Sequence, residues 1–323
     1  MNWPDGIAAR PLTLDDVEAW AELHAAKERA DQEGENFEAE DLAEELRLPG
    51  LDLARDSIAL WADGRMIGYG IAHARESVVD VDRVRAEGTV HPQWRRRGLG
   101  TQLMRWLIGR TGELHLATHP DVPGYTTVGA VSTNVGAAAM MRDFGFEPVR
   151  YFFDMRRPLD QPVPAAQLPQ ALRLKPFDTA YEDALREAHF EAFSDHWGWT
   201  PPSVETWRSR NVGSRAFRGL QSYVVMDGDT VAAYVNCYEY EADTEVTGVR
   251  QLYIGQVGTR RAYRGRGLAR AALAKVLAKG AEAGYQQAAL GVDAENPTGA
   301  LGLYEKLGFS TYQKYVNYQL ALA

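Results

Sequence analysis

Apolar residues recur at helical spacing over residues 14–29, with acids near the start, and then give way to a β-prone run over 58–72 centred on Asp63-Gly64, a pair suited to a tight hairpin turn. A further strand is predicted over about 81–90. From Gly98 to about Ile108 the spacing sets Leu99, Leu103, Trp106 and Leu107 on one helical face, and residues 114–118 read as the next strand. A helix over 136–143, a Gly-Phe turn and a strand over 149–155 close the first half as β-α-β-β-β-α-β-α-β.

The second half repeats this pattern. Ile7 to Thr13 matches Leu172 to Asp178, Asp63-Gly64 matches Asp227-Gly228, and Phe144-Gly145-Phe146 matches Leu307-Gly308-Phe309, all in one order and at nearly constant spacing. A helix is expected from Gly267 to about Ala283, stopping near Gly284, and a last strand over 312–320. Residues 156–168 are proline-rich and follow neither period. The expected organisation is therefore two tandem α/β domains, 1–158 and 169–323, joined by a linker over 159–168, each with a mixed, mainly antiparallel central sheet flanked by helices.

Length and composition support this division. The 323 residues are 45% hydrophobic and 24% charged, as in ordinary globular domains. A net charge of -9 argues against nucleic-acid and anionic-membrane partners, which need excess Lys and Arg. The single cysteine, Cys237, excludes an intramolecular disulfide, and no apolar run is long enough to span a bilayer, so a cytoplasmic protein, monomer or homodimer, is expected. His115, His119, His189 and His196 show no metal-ligand spacing with cysteine or acids, so no metal is expected.

One further element repeats, and it carries chemistry. Arg95-Arg96-Arg97-Gly98-Leu99-Gly100 and Arg264-Gly265-Arg266-Gly267-Leu268-Ala269 both fit Arg-x-x-Gly-x-(Gly/Ala), and each stands where a strand hands over to a helix. Glycine there permits a tight turn that exposes several N–H groups, and the helix N-terminus adds partial positive charge, which together favour a pyrophosphate. No Gly-x-x-x-x-Gly-Lys-(Ser/Thr) occurs, which argues against a nucleotide-hydrolysing loop.

Together with Asn296-Pro297 and Leu303-Tyr304-Glu305-Lys306-Leu307-Gly308-Phe309, these turns make both halves resemble the GNAT superfamily of N-acetyltransferases, with a tandem layout most similar to that of the mycothiol synthases. The resemblance implies transfer of an acetyl group from acetyl-CoA to the primary amine of a small molecule. Val257, Gly258 and Thr259 would face the pantetheine arm, with an oxyanion donor near Val257, and the turn from Arg264 through Ala269 would hold the phosphates. Tyr304 would protonate the departing thiolate. Asn296 would cap its helix or meet the pantetheine arm. Val90 and the turn Arg95, Arg96, Arg97, Gly98, Leu99 and Gly100 would serve the first half in the same way, either holding acyl-CoA or only bracing the partner. Met141 stands there in place of Tyr304, so chemistry is expected in the second half.

The base departs from the family pattern. Tyr253 occupies the place where acidic members carry a glutamate, and the first half offers Val84. Glu239, Glu241, Asp195 and His196 are the remaining candidates, acting directly or through water. The aromatic stretch around His196, Trp197 and Trp199 is expected to wall the acceptor pocket, with Tyr253 and Glu241 beside it. Acceptors other than a mycothiol precursor remain open at this point, namely an antibiotic, an amino sugar or a peptide amine, as does a non-catalytic acyl-CoA-binding regulator.

Overall fold

The computed structural model describes residues 3–296 and 299–322; Pro297, which the sequence pairs with Asn296, lies outside them. In chain order the elements are β1 (Ala8–Arg10), α1 (Val17–Asp31), α2 (Ala39–Leu46), α3 (Leu53–Asp56), β2 (Ser57–Ala62), β3 (Arg65–His73), β4 (Asp82–Val90), α4 (Leu99–Thr118), β5 (Gly124–Val131), α5 (Val135–Asp143) and β6 (Glu147–Pro158). The repeat continues with β7 (Arg173–Pro176), α6 (Glu182–Phe193), α7 (Val204–Arg210), β8 (Tyr223–Asp227), β9 (Thr230–Tyr238), α8 (Glu241–Thr247), β10 (Gln251–Thr259), α9 (Leu268–Glu282), β11 (Gln287–Asp293), α10 (Ala300–Lys306) and β12 (Ser310–Ala321).

Two compact units result, but they are not the contiguous halves expected. The first comprises Met1–Arg150 with Tyr315–Ala323, and the second Tyr151–Lys314. Each repeat gives up its last strand. In the first unit the sheet runs β1-β2-β3-β4-β5 and closes with β12, whose residues from Tyr315 to Ala321 pair antiparallel with Val131 to Tyr125. In the second it runs β7-β8-β9-β10-β11 and closes with β6, whose residues from Phe152 to Pro158 pair with Asp293 to Gln287. The start of the expected linker is thus ordered. Arg157 is 1% exposed and donates to the carbonyls of Leu307, Pro158, Gln161 and Pro162, anchoring the segment inside the second unit.

A second expectation fails at residues 114–118. They form the end of α4, not a strand, because Leu103, Leu107, Arg110 and Leu114 continue one buried helical stripe; the strand is β5, which begins at Gly124, after that helix has ended at Thr118. Both hairpin turns form as read, with left-handed backbone at Asp63 (φ 49°), Gly64 (φ 74°) and Gly228 (φ 57°).

Within each unit helices cover both faces of the sheet. In the first, Trp20, Leu23, Leu42 and Leu46 pack on Tyr69 and Ile71, while Leu99, Leu103 and Leu107 pack on Ile58, Leu60 and Ile67 opposite. In the second, Leu185 and Trp207 pack on Val224 and Tyr234, and Leu268, Leu273, Val276 and Leu277 on Leu252 and Ile254. Alternation along the strands, period two, assigns each side chain to one face or the other.

The pairing of the central parallel strands stops short in both units. Asp82–Arg85 pair with Gly124–Thr127, yet β4 runs on to Val90. Likewise Gln251–Tyr253 pair with Gln287–Ala289, and β10 runs on to Thr259. A wedge therefore opens between the strands, its edge of backbone N–H and C=O groups unpaired on that side, and it leads directly into the glycine turn.

Candidate active site

The turn after β10 has the backbone that an anion cradle needs. Gly265 (φ 74°) and Gly267 (φ 76°) are both left-handed, and the first backbone bond of α9 runs from the Ala271 N–H to the Gly267 carbonyl. The amides before Ala271 are therefore not taken up by the helix, and they converge at its positive end. Leu268 is buried beneath and fixes the helix start, whereas Arg266 is exposed and lies over the Tyr263 ring.

Arg264 has another task. Its guanidinium donates to the carbonyls of Thr259 and Ala192 and to Asp195, tying strand end, turn and α6 together. Asp195 is bound by Arg261 as well, and hydrogen bonds from Arg261 and Arg264 hold its carboxyl at about 2. A carboxylate so engaged is a poor proton acceptor, which removes the reason for expecting a base there.

Tyrosines cross the sheet face opposite α9. A Cβ on Gly258 would lie 2.2 Å from the Tyr234 ring, and one on Gly255 would lie 2.5 Å from the Tyr238 ring, so glycine is required at both places beside the wedge. The Tyr238 hydroxyl donates to Gln256 Oε1 at 2.7 Å. The Tyr234 hydroxyl meets His189 Nδ1 at 2.7 Å, and burial pushes that imidazole down to about 4, so it is neutral at pH 7. Phe193 stacks between His189 and His196, and His196 Nε2 lies 3.3 Å from Asn296 Nδ2. Asn296 thus meets the His196 loop; Trp199 packs edge-on against Phe190 of α6, an anchor for that loop.

Tyr304 lies on α10, 7% exposed, in the core with Leu268, Leu307 and Phe309. Burial raises its phenol to about 12, and no hydrogen bond engages the hydroxyl among the described residues. It is therefore a fully protonated donor with a proton to give.

The expected carboxylates just beyond β9 serve the fold. Glu239 accepts from Arg250, Arg218 and the Tyr285 hydroxyl; burial alone would raise its carboxyl, but these partners hold it at about 2. Glu241 is exposed and paired with Arg218 at 3.0 Å. Tyr253 is different. Its ring meets Tyr240 edge-on, and its hydroxyl hangs over Gly291, 3.5 Å from where a Cβ would be. Asp154 Oδ1 lies 3.7 Å from the same point. Sequence reading missed Asp154 because it belongs to the first repeat, and only the strand exchange brings it beside β11.

The first unit keeps the cradle but fills the wedge. Arg96 takes φ 64° and Gly98 φ 83°, the same left-handed pair as Gly265 and Gly267, although arginine pays ~1–2 kcal/mol for that conformation. Arg95 repeats the tie of Arg264, donating to the Val90 carbonyl and, through two bonds of 2.7 Å, to Asp31; Arg97 lies over the Trp94 ring. Gly129 stands where Gly291 stands in the second unit, but Tyr315 covers it: a Cβ there would lie 2.1 Å from the Tyr315 hydroxyl. Beside it Glu45, His73 and Glu87 converge closely enough for a metal, an arrangement the sequence did not suggest. Arg85 Nη2 occupies their midst, 3.0 Å from both carboxylates and 3.1 Å from His73 Nε2, so a guanidinium already supplies the positive charge. Met141, buried under the sheet, replaces Tyr304.

No helix among the described residues is long and apolar enough to cross a membrane. The acetyltransferase (GNAT) family model matches the chain twice, over residues 17–146 and 180–309. Mycothiol acetyltransferase of Salinispora arenicola is 30% identical over 268 residues, which are 80% of this chain and 79% of the relative. That of Thermobispora bispora is 30% identical over 240 residues, 72% and 75% of the two chains. Among solved structures, a GCN5-related N-acetyltransferase from Sphaerobacter thermophilus superposes with a TM-score of 0.77 at 29% identity, covering 99% of this chain and 97% of the other. A tandem GNAT protein from the clavulanic acid biosynthesis pathway gives a TM-score of 0.74 at 19% identity over 98% and 99%, a likeness of fold.

Proposed function

The chain belongs to the acetyltransferase (GNAT) family, and from that premise we propose that its second unit moves an acetyl group from acetyl-CoA to the primary amine of a small molecule. A mycothiol precursor is the first candidate acceptor, since relatives carrying the name mycothiol acetyltransferase align over most of both chains. The observation that carries the reading is a conjunction in one unit: an open strand wedge, a left-handed turn with untaken amides at its end, and a buried phenol with no hydrogen-bond partner among the described residues.

In this reading the amides from Gly265 through Ala269 hold the diphosphate, and the unpaired edge of β10 at Val257, Gly258 and Thr259 holds the extended arm as an added strand would. A backbone N–H near Val257 stabilises the oxyanion. Tyr304 gives its proton to the departing sulfur; its raised affinity for that proton keeps it loaded until a thiolate forms. The first unit retains the cradle and lacks both the acid and the open wedge, so the chemistry is assigned to the second.

Tyr304→Phe tests the assignment. With tyramine, glucosamine and S-methyl-L-cysteinamide as acceptors, thiol release from acetyl-CoA is expected to fall ~100-fold or more while acetyl-CoA affinity stays within about twofold. Undiminished turnover by the variant would remove Tyr304 from the mechanism. A protein that binds acetyl-CoA and releases thiol with none of the three amines would point to a different acceptor class.

A further inference from the structure

The mechanism above has no group to receive the acceptor's ammonium, because the carboxylates expected for that work are tied down. Glu239 has three partners and Asp195 two. A carboxylate beside the wedge stands clear of such ties. Asp154 of β6 sits directly across from Gly291 of β11, past the point where β10 and β11 part, and no hydrogen bond or ion pair engages it among the described residues. Alternation along β6 puts Phe153 and Met155 into the core beneath α9 and Asp154 on the opposite face, the face of Tyr253 and the tyrosine-lined wedge.

The missing Cβ of Gly291 leaves a gap bounded by the Tyr253 hydroxyl and Asp154 Oδ1. At the corresponding place in the first unit the gap over Gly129 is filled by Tyr315, and Asn317 pairs where Asp154 pairs. The unit with the buried phenol thus has both the opening and the carboxylate, and the unit with Met141 has neither.

Resting on the reading of the second unit as an N-acetyltransferase, we infer that Asp154 is the catalytic carboxylate of the acceptor site, binding the ammonium over Gly291 and taking its proton, with Tyr253 as the neighbouring hydroxyl that orients it. The step balances. The ammonium passes one proton to Asp154, and the free amine nitrogen bonds to the thioester carbon. As the C–S bond breaks, the sulfur takes the proton of Tyr304. The surplus proton on the new amide nitrogen returns to that tyrosine through water, and Asp154 releases its proton to solvent. A carboxylate from the first repeat completes the chemistry of the second.

Burial raises the Asp154 carboxyl above its ordinary value, and Arg156 opposes this only in part, so Asp154 accepts a proton more readily than its pinned neighbours. Arg156 on β6 bears on it electrostatically, the Tyr253 hydroxyl of β10 lies over the same glycine, and Asp293, two residues along β11 from Gly291, shares that face.

The test has two arms. In the first, kcat/KM for the three amines named above is followed against pH in wild type, Asp154→Asn and Asp154→Glu. Wild type should gain activity as pH rises through the titration of Asp154; the Asn variant should lose ~100-fold and that acid limb, with acetyl-CoA affinity unchanged, and Glu should restore part of both. An Asn variant with the wild-type profile overturns the inference. The second arm needs no turnover: the Gly291 amide resonance is followed against pH in the CoA-loaded protein, with and without 1-propylammonium. The amine should lower the midpoint in wild type and do nothing in Asp154→Asn. An unmoved midpoint in wild type refutes the inference even where acetyl transfer succeeds, while a moved midpoint in a protein that acetylates none of the amines upholds the ammonium site and sinks the acetyl-transfer reading instead.

Discussion

Replacing Glu239 by glutamine separates a structural carboxylate from a catalytic one. The side chain is 8% exposed and receives bonds from Arg250 at 2.6 Å, the Tyr285 hydroxyl at 2.7 Å and Arg218 at 2.9 Å. Its carboxyl drops from an ordinary 4.5 to about 2, against the opposing effect of burial. At ~1.4 kcal/mol for each tenfold change in proton affinity, this is worth about 3 kcal/mol to the folded state. The folded value lies below the ordinary one, so the stabilisation is complete above about pH 4.5 and is lost as pH falls through about 2. Urea unfolding at pH 7 should therefore show Glu239→Gln destabilised by about 3 kcal/mol, a gap that narrows between pH 4.5 and pH 2. The pH profile of acetyl transfer should keep its shape. A variant as stable as wild type at pH 7 that has lost the acid limb of kcat/KM would refute the ion-cluster reasoning and restore Glu239 as a base.

Two glycines should answer alanine in opposite ways. Gly258→Ala forces a Cβ to within 2.2 Å of the Tyr234 ring and should destabilise the second unit by ~1–3 kcal/mol in thermal unfolding. Gly291→Ala meets nothing closer than 3.5 Å, so the fold should hold while KM for the amine rises. In the first unit, a double-mutant cycle on Arg95 and Asp31, which share two bonds of 2.7 Å, should give a coupling of ~1 kcal/mol by urea unfolding, and zero coupling would show that the tie is incidental.

Much of the architecture was legible in the residues. Repeated glycine turns and hairpin pairs announced the duplication, because left-handed backbone at Gly98, Gly267, Gly64 and Gly228 requires particular residues at fixed places. Residues 114–118 misled because a short apolar run fits either period, and only the buried stripe through Leu107 and Arg110 decides it. The strand exchange left no trace, since alternation along β6 and β12 tells which face a side chain takes and nothing about which strand lies alongside. The same gap hid Asp154. Tyr304 stood out by its place before the Gly-Phe turn, whereas Glu239 and Asp195 looked available because their arginine partners, Arg218, Arg250, Arg261 and Arg264, are distant in sequence.

That crossing of final strands also governs how the chain is born. As the polypeptide leaves the ribosome, β5 has its own repeat's last segment nearby but must wait for residues 315–321, nearly two hundred positions downstream, before its outer edge is capped. Until then a nascent intermediate carries a naked edge, open to a trigger-factor-like holdase or to a neighbouring nascent copy, and such distant closure slows assembly. Severing the linker would therefore yield not two autonomous halves but a pair of fragments that reconstitute only by trading strands.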